Sequence, residues 1–211
     1  MMQPERVARF KEVIKCRQPN LTVVLENVHD PHNISAVLRT CDSVGITDVY
    51  VLYTKVHKNR LELGKRSSSG ARKWINVHLY NDVDDCMKAV KAKYDKIYAT
   101  HLSEDAVGLY DLDLTESVAL LFGNEHSGVS EEALKYCDGN FLIPQFGMVK
   151  SLNISVACAV SLYEGLRQRK EKGFYDDSPV LNEAEQEAML GEYQNRHERW
   201  IDFVDKYIEA K

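Results

Sequence analysis

The stretch IPQFGMVKSLNISVACA (residues 143–159) joins two unlike patterns. A proline closes a short apolar run, a loop with one glycine follows, and Ser151-Leu152-Asn153 opens a series of small and apolar residues. A strand signal passing through a short loop into a helix signal is the mark of an alternating α/β chain. Ser151 reads as the N-cap of a helix over 151–169, because a serine hydroxyl can accept from the free amides of a first helical turn. A second reading has a ligand held where the loop meets the helix. The stretch alone supports both.

Working outward, short β-branched and aromatic runs alternate with helical patterns. Residues 21–27 (LTVVLEN), 48–53 (DVYVLY), 75–80 (INVHLY), 96–102 (KIYATHL), 118–122 (VALLF) and 141–144 (FLIP) read as strands. Their weak polar alternation is what burial on both faces produces, so the sheet is expected to be mostly parallel. Between the first two, residues 33–45 set Ile34, Val37, Leu38 and Cys41 on one helical face and stop at a glycine. Residues 82–94 repeat the pattern with Val83, Met87 and Val90, and 130–136 is a short helix. After Gly173 a linker, FYDDSP, leads to one or two helices over 182–208. Their apolar stripe of Trp200, Ile201, Phe203, Val204, Tyr207 and Ile208 is suited either to a dimer contact or to the chain's own body. The division expected is a basic helical extension over 1–20, a main domain over 21–172 and a helical extension over 173–211.

The 211 residues are enough for a real core, and no run of apolar residues is long enough to span a membrane. The N-terminus lacks the apolar middle of a secretory signal. Five scattered cysteines without a Cys-x-x-Cys pair fit reduced thiols in a cytoplasmic protein, and the histidines do not group as metal ligands.

The net charge of −5 is unevenly spread. Residues 176–211 hold ten acids and four bases, which leaves the remainder close to neutral with three basic clusters. These lie at the N-terminus, over residues 55–73, and after the helix signal at 167–172. Such clusters supply phosphate contacts whatever the total charge. Three of them in one chain point to an anionic polymer, with Arg9, Arg17, Lys65, Arg66, Arg167 and Arg169 as the expected contacts.

Three stretches carry more than packing demands. In HDPHNISAVLRTCDSVGI, Asn33 and Arg39 share a helix that otherwise faces inward. In LLFGNEHSGVS, Gly123 follows an apolar strand directly, and Glu125 and His126 lie beyond its carboxyl end, where α/β sheets place ligands. The third is the opening stretch. Phosphate-loop and dinucleotide fingerprints do not follow any strand.

Taken in order, Asn33-x5-Arg39-Thr, Leu121-x-Gly123-x-Glu125-x2-Gly128-x-Ser130 and Ile143-Pro144-x2-Gly147-x3-Ser151-Leu152-Asn153 resemble the three motifs of the SpoU branch of the SPOUT RNA methyltransferases. YATHLSEDAV and SLYEGLRQR narrow the likeness to the members that 2′-O-methylate guanosine 18 of tRNA. The resemblance implies a trefoil knot over about 118–170 and S-adenosylmethionine as methyl donor. It implies a cofactor pocket at Thr100, Leu121, Gly123, Asn124, Ile143, Pro144, Gly147, Met148, Ser151 and Leu152. It also implies a catalytic set of Arg39 with Asn33, Glu125, Ser151 and Asn153, and a homodimer acting on tRNA. Other substrates within the branch are ribosomal RNA or a tRNA wobble nucleotide. Readings of other classes are a non-catalytic RNA-binding module and a small-nucleotide enzyme.

Overall fold

The computed structural model describes residues 2–55, 70–149 and 151–209, with side chains described as far as residue 199. Lys65 and Arg66 lie outside the described residues, as do the side chains of the 200–208 stripe. In chain order the elements are α1 (Pro4–Lys15), β1 (Leu21–Glu26), α2 (Pro31–Ser43), β2 (Asp48–Leu52), β3 (Asn76–Tyr80), α3 (Val83–Lys91), β4 (Lys96–Thr100), β5 (Val107–Gly108), β6 (Val118–Phe122), α4 (Glu131–Leu134), β7 (Gly139–Leu142), α5 (Ile154–Glu171) and α6 (Glu183–Glu209).

The seven strands form one parallel sheet in the order β3-β2-β1-β6-β4-β7-β5. Successive residues of a strand point to opposite faces, and here both faces are covered. Val23 and Leu25 of β1 join a core completed by Ile34, Val37, Leu38 and Cys41 of α2 and Ile154, Cys158 and Leu162 of α5. Val24, between them, faces the other core, with Met87 and Val90 of α3 and Ala133 of α4. Two-sided burial is why the strands read as unbroken apolar runs.

The order of winding reverses between the parallel neighbours β1 and β6: β1 to β3 step outward on one side, and the later strands fill the other. All strands are parallel, so their carboxyl ends open on one edge, and a crevice forms at such a reversal.

α2 begins where Asp30 accepts from His32 N at 2.8 Å, with Pro31 in the first turn. It stops before Gly45, whose φ of 88° is left-handed. A Cβ at that position would lie 2.4 Å from the carbonyl oxygen of Cys16, so only glycine fits.

α6 packs on the chain's own α1. Phe10 and Ile14 of α1 share a small core with Leu181 and Tyr193, and Phe10 meets Trp74 and Tyr193 edge-on at 5.3 and 5.8 Å. The described part of the tail is thus committed to its own body.

Several boundaries differ from the sequence expectation. The fourth strand ends at Thr100, and the last runs over Gly139–Leu142, ahead of Pro144. The two-residue β5 has no sequence signal. The helix expected from Ser151 starts at Ile154, and its cap is Asn153, whose Oδ1 accepts from Ser155 N at 2.9 Å. Ser151 stands two residues too early to cap it.

Candidate active site

Three loops meet at the carboxyl edge of the sheet. Asn33, in the first turn of α2, donates Nδ2 to Glu125 Oε1 at 2.8 Å. Asn153, capping α5, donates its own Nδ2 to Asn33 Oδ1 at 3.1 Å. Asn33 therefore joins the loop after β6 to the loop after β7, and all three side chains are held by partners distant in sequence. Fixing each side chain through another is how a site keeps its geometry without a rigid backbone.

The loop over 123–130 is built tightly. Asn124 and Gly128 exchange both backbone hydrogen bonds, Asn124 N to Gly128 O at 3.1 Å and the reverse at 2.9 Å. A Cβ on Gly123 would come within 2.1 to 2.3 Å of the Gly128 and Val129 backbone. Glycine is required there by the loop's own closure. Asn124 Oδ1 accepts from His126 N and Ser127 N, at 3.0 and 3.2 Å. Glu125 is left exposed at the rim.

Beside this network lies a cleft of about 290 Å³. Of the residues expected to hold a cofactor, Thr100, Gly123, Asn124, Ile143, Ser151 and Leu152 line it, together with Glu125. Leu121 is buried in β6, with its carbonyl accepting from the Thr100 hydroxyl at 3.3 Å, and Met148 is fully exposed. Pro144 and Gly147 are also absent from the lining. Sequence reading missed His101, Leu102, Gln145, Phe122 at the end of β6, and Phe141 and Leu142 at the end of β7. Their signal was position alone, at or within three residues of a strand's carboxyl end. The lining is mostly apolar side chain and main chain, which suits a flat, uncharged ring system carrying a few polar groups.

Arg39 is exposed on α2 and makes no hydrogen bond or ion pair with a described residue. A guanidinium keeps its charge at any working pH and presents planar donors suited to phosphate. It is available for a substrate.

The expected RNA contacts divide. Arg9 is exposed on α1, with an exposed ion pair to Glu12 at 3.1 Å. Arg167 is half exposed but held by Glu164 at 2.8 Å and Glu171 at 2.7 Å. Arg17 and Arg169 are buried, and burial corrects both assignments. Arg17 donates Nε to the Tyr193 hydroxyl at 2.7 Å and Nη2 to Asp42 Oδ1 at 2.7 Å. Arg169 donates Nε to Leu114 O, Nη1 to Gln18 Oε1 and Asn20 Oδ1, and Nη2 to Asn20 O and Glu116 O. All five of its N–H groups are satisfied inside the protein. Arg17 ties the segment after α1 to α2 and α6, and Arg169 ties α5 to the segments that lead into β1 and β6.

A model of the family described as SpoU rRNA Methylase matches residues 20–163. The chain belongs to that family. Within the SpoU family it is similar to the Escherichia coli K12 protein named tRNA (guanosine(18)-2′-O)-methyltransferase. The two are 40% identical over 192 residues, which is 90% of this chain and 82% of that one. The solved Aquifex aeolicus TrmH/SpoU tRNA modifying enzyme is 35% identical with a TM-score of 0.82, covering 92% of this chain and 96% of its own. The SpoU methyltransferase AviRb from Streptomyces viridochromogenes, solved with the cofactor AdoMet, is 26% identical with a TM-score of 0.62. That match covers 73% of this chain and 59% of AviRb.

Proposed function

We propose that this SpoU-family chain methylates the ribose 2′-oxygen of guanosine 18 in tRNA. The observation that carries the reading is the Glu125–Asn33–Asn153 chain of hydrogen bonds, which gathers three separate sequence motifs beside one cleft, with Asn33 on the helix that carries Arg39. The substrate is the one in the name of the Escherichia coli relative.

S-adenosylmethionine supplies an already activated methyl group. Thr100, Gly123, Ile143 and Leu152 line the space that would hold it. The protein's task is then alignment and management of one proton. Arg39 holds the phosphate beside the target ribose with its planar donors and so orients the 2′-oxygen. Asn33 holds both Glu125 and Asn153, and Glu125 stands exposed at the rim with acceptor capacity beyond its one Asn33 bond. Ser151, exposed on the cleft wall, adds a polar group there.

The reading includes a trefoil knot, supported by β6 and β7 flanking the earlier β4. It includes a homodimer, supported by apolar groups left in water: Phe146 and Met148 are 100% and 99% exposed, beside half-exposed Val156 and Tyr163 on α5. Sedimentation would show a species of twice the chain mass. Five free cysteines fit a reducing cytoplasm.

The deciding experiment incubates the chain with S-adenosylmethionine and an unmodified tRNA transcript, then maps 2′-O-methylation. Methyl at guanosine 18, lost when that nucleotide is replaced by adenosine, is expected. Methylation at a wobble nucleotide, or of ribosomal RNA alone, overturns the substrate assignment.

A further inference from the structure

The residue that sets the height of Glu125 is not itself at the site. β1 ends with Glu26, and Asn27 follows at once. Glu26 is buried, and its Oε2 accepts from Ser130 N at 2.9 Å. Asn27 is also buried, and its carbonyl oxygen accepts from Asn124 Nδ2 at 2.9 Å. Two consecutive residues therefore hold both ends of the 123–130 loop.

Asn27 has a φ of 53°, left-handed, and is the one non-glycine residue there among those described. Asparagine tolerates that region better than most side chains, but the conformation is still uncommon. Its side chain is engaged at both ends. Nδ2 donates to Thr54 Oγ1 at 2.9 Å, while Oδ1 accepts from Thr54 N at 2.9 Å and Lys55 N at 3.4 Å. Lys55 then closes a ring by donating Nζ to Ser127 Oγ at 3.0 Å. The left-handed turn aims the carbonyl at one loop and the side chain at the end of β2.

Glu26 adds a second sign. Its Oε1 is buried with no hydrogen-bond partner among the described residues. A buried acceptor left unpaired lowers stability, and such costs gather where function fixes a residue.

We propose that Glu26 and Asn27 are positioning residues for methyl transfer, setting Glu125 against Asn33 by anchoring the two ends of the 123–130 loop. This rests on the methyl-transfer reading above. Neither residue touches the cleft, and each acts through Asn124 or Ser130.

Three variants test it. Asn27→Gly accepts the left-handed φ without strain but removes the side-chain bonds to Thr54 and Lys55 that hold the Asn27 carbonyl aimed at Asn124 Nδ2, so the first anchor of the loop loosens. Glu26→Ala removes the acceptor for Ser130 N, and Glu26→Gln restores one. Backbone hydrogen exchange over residues 124–130 should speed up about tenfold in Asn27→Gly and Glu26→Ala, with the β1 amides unchanged. In the same two variants kcat should fall about tenfold, near the worth of one hydrogen bond, with KM for tRNA within about threefold. Glu26→Gln should match wild type in both readouts. Loop amides exchanging at the wild-type rate in both loosened variants would overturn the proposal. So would faster exchange with kcat unchanged, or a Glu26→Gln loss equal to that of Glu26→Ala. A wild-type chain that methylates no RNA, with loop exchange responding as expected, instead refutes the methyl-transfer reading alone.

Discussion

Asn33 is bonded to Glu125, 92 residues later in the chain, and to Asn153, 120 residues later, at 2.8 and 3.1 Å. One amide thus serves as donor to one motif and acceptor to another. Asn33→Ala breaks both bonds. The site is exposed, so the melting temperature should move by only a few degrees, while kcat falls roughly a hundredfold through misalignment. A loss of stability in proportion to activity would make Asn33 a structural residue.

Arg39→Ala should abolish methyl transfer and leave S-adenosylhomocysteine affinity within about twofold, measured by calorimetry, because Arg39 makes no hydrogen bond or ion pair with a described residue and does not line the cleft. Arg39→Lys should fail as well, since a point charge lacks the planar fork. Retention of most of the wild-type rate by either variant would remove Arg39 from the mechanism.

Arg169→Ala is expected to destabilise the fold by about 3 kcal/mol or more, by emptying the space of a fully buried side chain and leaving the buried Leu114 carbonyl and Gln18 Oε1 without their donor. Arg167→Ala, at an exposed and ion-paired position, should leave stability close to that of wild type. Urea denaturation of the two single variants separates them. Equal effects would contradict the burial of Arg169.

Gly123→Val should lose cofactor binding together with stability. A branched side chain collides with the backbone of Gly128 and Val129, and backbone cannot step aside as a flexible side chain can. Wild-type affinity for S-adenosylhomocysteine would contradict the tight loop closure.

Stability should also fall on acidification. Asp48 is buried, which alone would raise its pKa, but hydrogen bonds from His78 at 2.7 Å, Lys93 at 2.8 Å and Thr47 at 2.8 Å override burial and hold it well below 3.8. A carboxyl with a folded pKa below its unfolded one stabilises the fold above the unfolded value and loses that contribution as pH falls through the folded one. The stability of wild type should therefore drop from about pH 4 downward more steeply than that of Asp48→Asn. Parallel pH profiles for the two would exclude Asp48 as the source.

Much of this was legible in the sequence, for reasons that vary by residue. Strand runs such as VALLF announced themselves because both sheet faces are buried, and the Asn33, Glu125 and Asn153 motifs because spacing survives folding. The partnership of Asn33 with both others was not legible, since it depends on which loops a parallel sheet brings to one edge. Arg17 and Arg169 misled for the same reason. A basic cluster looks identical whether its guanidinium meets RNA or, as with Arg169, a ring of carbonyl and amide oxygens gathered from residues 18–20 and 114–116. Asn27 carried no signal, because a left-handed φ is a property of conformation and asparagine is common in many others.

β1 sits in the middle of the sheet, with β2 on one side and β6 on the other. During synthesis it emerges early, and its second edge has no partner until residues 118–122 have been made. At about 5–20 residues per second, the apolar strand LTVVLE waits roughly 5–20 s with one row of amides and carbonyls open. The nascent chain is therefore at greatest risk of aggregation in that interval, and slower elongation between codons 27 and 118 would lengthen it.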